Sequence, residues 1–300
     1  ACSSCIRMNK MKASKLARKE SLTGFLFCLP SIIGMLVFFV IPFCLCLYMS
    51  FTESSGSVRF VGLKNYAEVL KSAAFRLAAG NTLKFIVIAV PAIILVSLFI
   101  ALLLYKKLRG YHFFRTLFVF PLVLPTASVV LFFQIIFAET GLLNHVLEFL
   151  GIAPTEWINS PNAFYVLVIL YIWKNSGYNI ILFLSALNAI PKSYYEEADI
   201  DGAGKSIQFF KITFPLIMPY TFFITVISII NSFKSFREAF LLFGSHPNKS
   251  IYMLQHFMNN NFQNLNYIRL AVGAIMIFIA IFLLILIMFR LRVKSGDTEL

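Results

Sequence analysis

SLTGFLFCLPSIIGMLVFFVIPFCLCLYMSFT, residues 21–52, carries no charged residue anywhere along its length. A bilayer core about 30 Å thick is crossed by roughly 20 apolar residues in a helix, and this run exceeds that. In hydrocarbon, backbone N–H and C=O groups must be paired within the protein, which leaves only helices or closed barrels. The apolar residues are continuous rather than alternating, so the segment reads as a helix. Its length and the lack of a small-residue cleavage site argue against a removable signal peptide. Spans are expected at about 22–50, 81–105, 115–138, 163–187, 216–240 and 268–290. With 59% hydrophobic and only 13% charged residues, the chain is too apolar for a soluble globular domain. The expected fold is an all-α polytopic membrane protein: a basic tail at 1–20, a six-helix transmembrane domain at 21–290 and a short tail at 291–300.

The net charge of +13 is distributed in a way that excludes nucleic acid as a partner. Arg7, Lys10, Lys12, Lys15, Arg18 and Lys19 precede span one. Lys106, Lys107, Arg109 and Arg115 lie between spans two and three, and Lys192, Lys205 and Lys211 between four and five. Arg290, Arg292 and Lys294 follow span six, whereas the alternate connections hold little beyond Lys249. Arg59, Lys64, Lys71 and Arg76, after span one, are the exception. This positive-inside bias places both termini in the cytoplasm and the chain in a lipid bilayer.

Metal and enzyme chemistry find little support. Cys2 and Cys5 form a lone CxxC, Cys28, Cys44 and Cys46 lie in an apolar span, and no His accompanies either set. His112, His145, His246 and His256 are dispersed, and no nucleophile elbow or zinc-protease motif occurs. The chain starts on Ala1, and Met8 or Met11 are possible starts, which leaves residues 1–7 open as native sequence.

The loop at 188–219 gathers four acids, Glu196, Glu197, Asp199 and Asp201, beside a Gly turn. Pro191 stops span four, and Ser193 followed by Glu196 has the spacing of a capping box. A short helix is expected from Tyr194 to about Ile200, then a sharp turn at Gly202-Ala203-Gly204. A second surface helix carrying Ile207, Phe210 and Ile212 should end at Pro215. Gly204-Lys205-Ser206 mimics the end of a phosphate-binding P-loop. Asp199 stands where that loop needs its first Gly, and no strand precedes it, so ATP binding by this chain is not expected.

Glu196, Ala198, Asp201, Gly202, Ala203, Ile212, Pro215 and Pro219 resemble the "EAA" loop of permease subunits of binding-protein-dependent ABC importers. Glu197 and Phe214 depart from the usual Ala and Leu. Further likeness to the carbohydrate branch (the maltose and multiple-sugar type) lies in Phe60-Val61-Gly62-Leu63-Lys64-Asn65-Tyr66 and in Phe114-Arg115-Thr116 ahead of Pro121 and Pro125. Gly141-Leu142-Leu143-Asn144 with Trp157, and Ala163 opening span four, extend it. The resemblance implies a coupling helix in which Glu196, Glu197, Ala198, Asp201, Gly202 and Ala203 meet a cytoplasmic ATPase dimer. It further implies a second homologous permease, an extracytoplasmic sugar-binding protein, residence in a prokaryotic cell membrane, and ATP with Mg held by the partner ATPase. No cofactor is expected on this chain.

Polar residues at mid-bilayer are costly and mark either a pathway or a buried contact. Tyr171, Lys174, Asn175 and Tyr178 form one helical stripe in span four, with Asn179 beside it. Ser228, Asn231, Ser232 and Ser235 repeat that spacing in span five. Amides, hydroxyls and Tyr rings suit a sugar, and Gln134 is a further candidate; interhelical packing is the alternative. The span-four stripe also falls where the family's maltose-type members contact sugar. Lys174 needs a counter-charge, from a companion permease or an acidic solute; Glu238 is less suited by depth. Lys234, Arg237 and Glu238 are expected near the outer mouth, snorkelling at the interface or serving as a gate or receptor contact. The stretch 243–266 reads as a receptor contact or a plain loop. A secondary transporter or channel is the rival class, opposed by few intramembrane acids and no visible repeat. A permease for glycerol phosphate or a polyamine is another alternative.

Overall fold

The computed structural model describes residues 21, 23–54, 58–106 and 110–294. The basic tail with its CxxC, Lys107, Arg109 and the last six residues lie outside the described residues. Six stretches are long and apolar enough to cross a membrane: Thr23–Ser50, Ala73–Tyr105, Thr126–Phe149, Ala163–Asn188, Lys205–Phe243 and Tyr267–Arg290.

In chain order, α1 (Thr23–Ser50) contains a π turn at Leu36–Val40 and leads into a small antiparallel hairpin, β1 (Thr52–Ser54) and β2 (Val58–Phe60). Then follow α2 (Lys64–Lys71), α3 (Ala73–Tyr105), α4 (Tyr111–Val123), α5 (Thr126–Phe137) and α6 (Leu142–Phe149). The remainder comprises α7 (Ala163–Asn188), α8 (Ser193–Ile200), α9 (Phe214–Lys234), α10 (Phe236–Phe243), α11 (Leu254–Gln263) and α12 (Tyr267–Lys294).

Helix α7 is the hub. Its Phe164, Leu167 and Tyr171 pack on Phe85, Ala89 and Ile93 of α3. Its Ile180, Phe183 and Leu187 meet Ala101 and Leu104 of α3 with Ile217 and Ile224 of α9. Its Val166 and Leu170 meet Val129, Val130 and Phe133 of α5 with Leu242 of α10. In lipid, helices are held by close packing rather than by water exclusion, and small residues allow that approach. Gly177 is the extreme case: a Cβ there would lie 2.2 Å from the Phe118 carbonyl oxygen of α4. By contrast α1 buries none of its most apolar window, touching α12 mainly near Phe43, whose ring sits 5.0 Å from Phe278.

Three departures from the sequence expectation have a common cause in proline and serine. Span three is not continuous: Leu124 and Pro125 are extended (ψ 138° and 137°), separating α4 from α5. Pro125 lacks an N–H and pushes its predecessor out of the helical region. Span five, conversely, does not begin afresh at Pro215. One turn at Lys205–Gln208 and a π turn at Phe209–Thr213 run straight into α9, and the Phe214 N–H reaches back to the Phe209 carbonyl. That wider i→i+5 pairing absorbs the donor missing at Pro215, so the helix passes through. The same span is then interrupted at Ser235 (ψ 0°), and α10 packs against α5.

At the end of the bundle away from α8, short polar ties hold the connections. Asn65 Nδ2 donates to the carbonyls of Ser50 and Thr52, anchoring the hairpin. Asn144 donates to Glu139 and Thr155 and accepts from Trp157 Nε1 at 3.0 Å, which fixes the connection between α6 and α7. Helix α3 starts earlier than expected, at Ala73, and its first turns pack Phe75 and Ala78 on Phe257 and Val272; beyond them Asn81 donates to Lys249 and Tyr252 while Thr82 accepts from Leu254 N–H.

Candidate functional site

Two places stand out, at opposite depths. The first is α8, with no buried residue and with Glu196, Glu197 and Asp201 on open surface. Its end is closed by a complete Schellman turn: Gly202 N–H bonds the Asp199 carbonyl at 3.1 Å and Ala203 N–H the Ala198 carbonyl at 2.8 Å. Gly202 sits at φ +73°, a left-handed conformation that L side chains rarely adopt. The expected capping box is absent. Lys192 already has helical angles, its carbonyl accepts from Tyr195 and Glu196, and Ser193 therefore lies inside the first turn with no capping bond.

What stiffens this loop is Asp199, noted in the sequence only as one of four acids and for occupying the place of a P-loop Gly. Asp199 accepts from Gln208 Nε2 at 2.6 Å and from Lys205 Nζ at 3.0 Å, and these bonds hold its carboxyl below the usual range. Gln208 also donates to the Ala203 carbonyl, and Tyr195 shares a 2.9 Å hydrogen bond with Thr213. The acidic helix is thus tied to the chain entering α9. Lys205, in the P-loop mimic, is engaged in that ion pair.

The second place is a cavity of about 460 Å³ between α5, α7, α9, α10 and α11. Lys174 and Asn175 of α7 and Asn231 and Ser235 from the span-five stripe line it. Thr126, Lys234, Phe236, Arg237, Glu238 and Gln255 complete the wall. Lys174 Nζ donates to Glu238 and to Thr126 Oγ1, at 3.0 Å for the latter. Both charged side chains are nearly enclosed, 14% and 9% exposed. This corrects the depth argument against Glu238. Counting residues along one straight span five put the acid too far out, whereas the interruption at Ser235 and the packing of α10 on α5 bring it to Lys174.

The two predicted stripes divide between cavity and seam. Tyr171 is fully buried and donates to the Ser228 carbonyl at 2.6 Å; Asn179 donates to Ser228 Oγ at 2.9 Å. Those three side chains tie α7 to α9 and do not face the cavity. Ser232 is buried on its own helix, donating to Ile229, and Tyr178 lies outside the cavity wall, as does Gln134. Thr126 and Gln255 were missed. Pro125 carried a signal for the first, since the residue after a helix break opens a new helix; nothing local marks Gln255.

The family model for "Binding-protein-dependent transport system inner membrane component" matches residues 93–293. The chain is 34% identical over 238 residues to the probable ABC transporter permease protein YesP of Bacillus subtilis, covering 77% of each. It is 36% identical over 227 residues to the arabinooligosaccharides transport system permease protein AraP of the same organism, covering 74% of this chain and 72% of the other. Its fold matches a chain in the crystal structure of a bacterial alginate ABC transporter in complex with an alginate pentasaccharide-bound periplasmic protein. There the TM-score is 0.83 at 19% identity, over 94% of this chain and 98% of that one. With a family match spanning two thirds of its residues, from Ile93 to Val293, and a shared helical fold, the chain belongs to the inner membrane components of binding-protein-dependent transport systems.

Proposed function

We propose that this chain is the membrane-spanning permease subunit of an ATP-driven ABC importer that carries a sugar or oligosaccharide. The solute arrives on an extracytoplasmic binding protein, and a second homologous permease completes the pathway. A cytoplasmic ATPase dimer holds ATP and Mg and performs the hydrolysis. Both termini lie in the cytoplasm of a prokaryotic cell, which puts α8 on the ATPase side.

The observation that carries this reading is the build of α8: an exposed acidic helix, closed at Gly202 and fastened to the turns entering α9 through Asp199–Gln208 and Tyr195–Thr213. A lever must present surface to its engine and be stiff toward its load, and this one does both. ATPase closure would push Glu196, Glu197, Ala198, Asp201, Gly202 and Ala203, and the motion would pass into the continuous helix from Lys205 onward. The solute would meet Lys174, Asn175, Asn231 and Ser235, with Tyr171, Asn179 and Ser228 keeping α7 and α9 in register.

The test is site-directed cross-linking in native membranes. A cysteine at Glu197 or Ala203 should capture an ATPase subunit, with a yield that changes when ATP is added. Repeated failure to capture one, together with uptake that proceeds without hydrolysis or follows an ion gradient, would overturn the proposal in favour of a secondary transporter.

A further inference from the structure

Three cations and one acid share the cavity at Lys174. The acid, Glu238, is engaged with Lys174, and this leaves Lys234 and Arg237 as charges without an ion-pair partner among the described residues. The formal balance of these four groups is three positive minus one negative, or +2. Lys234 and Arg237 stand three positions apart around the interruption at Ser235, both exposed, where like charges on a helical surface repel. The rest of the wall is neutral: the polar Thr126, Asn175, Asn231, Ser235 and Gln255, and the ring of Phe236. The volume lies within the roughly 300–1,000 Å³ of small-molecule sites.

Hydroxyl groups alone do not call for such a surplus. Amides and hydroxyls satisfy a neutral sugar, and two like charges three positions apart repel unless an anion offsets them. From this charge pattern we infer that the cavity selects acidic saccharides, with a carboxylate of the sugar received between Lys234 and Arg237 and the hydroxyls met by Asn175, Asn231 and Gln255. Arg237 offers a planar fork suited to two carboxylate oxygens, and Lys234 a point charge. Lys174 stays with Glu238 and holds the cavity's shape. This specificity rests on the importer reading above.

The full chain in lipid nanodiscs can be titrated with digalacturonate and with its dimethyl ester, which differ in charge but little in shape. Trp173, next to Lys174 in the chain, gives a fluorescence readout. The acid should bind at least about tenfold tighter than the ester, the range expected for one charge-assisted hydrogen bond, and the difference should shrink with added salt. Lys234→Gln and Arg237→Gln should each reduce the acid-to-ester preference several-fold, while Arg237→Lys should retain most of it. Equal binding of acid and ester, no binding of either, or a preference untouched by both Gln variants overturns the inference; the last two outcomes would assign these cations to an acid of the second permease. ATP-driven uptake by the assembled importer, measured separately, keeps the two readings distinguishable. If uptake persists while the titration shows no preference, only the anion specificity falls.

Discussion

Lys174, near the middle of α7, is hydrogen-bonded to Glu238 of α10, so two spans that run in opposite directions are joined by a nearly enclosed ion pair. Thr126 accepts a further bond from the same ammonium group, and one Glu238 oxygen, Oε2, has no partner among the described residues. A pair this enclosed adds little net stability, but losing one member leaves a bare charge behind.

Lys174→Met or Glu238→Leu alone should therefore lower stability by about 3–5 kcal/mol. The double replacement should recover most of that loss. Thermal unfolding of the three variants in matched nanodiscs checks this, and additive effects would show that the contact has no energetic role. Should Lys174→Met also leave transport and ATP hydrolysis unchanged, the cavity would not be part of the solute path.

Gly202→Val should abolish transport and leave membrane insertion intact. A built Cβ meets no atom within 4 Å, so the penalty is conformational: φ +73° costs an L residue roughly 1–2 kcal/mol, more when β-branched. Gly202→Asn, which tolerates the left-handed region, should retain much of the activity. Uptake normalised to the amount of protein in the membrane decides between these outcomes. Reversing the charge at Glu196 should give the same phenotype by a different route, through loss of docking.

Gly177→Ala should destabilise the bundle without touching either site. Its Cβ would fall 2.2 Å from the Phe118 oxygen and 2.9 Å from the Val119 Cα, so α4 and α7 must separate. Overpacking of this kind costs roughly 1–3 kcal/mol. A drop in the unfolding temperature is the expected reading, larger still for Gly177→Leu.

His256, in α11, supplies a pH dependence. It is fully buried between Phe236 and Tyr252, its Nδ1 accepts from Met253 N–H, and Nε2 finds no partner among the described residues. Burial holds its pKa down to about 4, from 6.5. The unfolded chain then binds the extra proton first as pH falls, so this contribution is intact above pH 6.5 and is lost progressively toward pH 4. The full effect is up to roughly 3 kcal/mol. Unfolding temperatures of wild type and His256→Gln across pH 4.5–7.5 should show a slope in the first and a flatter line in the second.

Much of this could be read from composition and spacing. That six spans exist was legible because roughly 20 mostly apolar residues leave a helix in lipid as the only backbone solution; the bounds of spans three and five were not. The turn at Gly202 was legible because only glycine fits a left-handed position cheaply. Proline misled twice, in opposite senses. Pro125 breaks span three, whereas Pro215 is passed through, and the difference is the π turn at Phe209–Thr213, which local sequence does not announce. The stripe of Tyr171, Lys174, Asn175 and Tyr178 was correctly placed on one helix, but spacing says nothing about the rotation of that helix against its neighbours.

From its residues alone, this chain was bound to lie in a bilayer as a set of helices, with its acid-rich connections left in water, because transfer free energies act residue by residue. Which polar groups look into the cavity, and which disappear into the α7–α9 seam, was decided only when distant helices met. The pairing of Lys174 with Glu238 across 64 positions belongs to that second class. Its physical reason is the interruption at Ser235, which sets where α10 lies against α5 and so where its carboxylate ends.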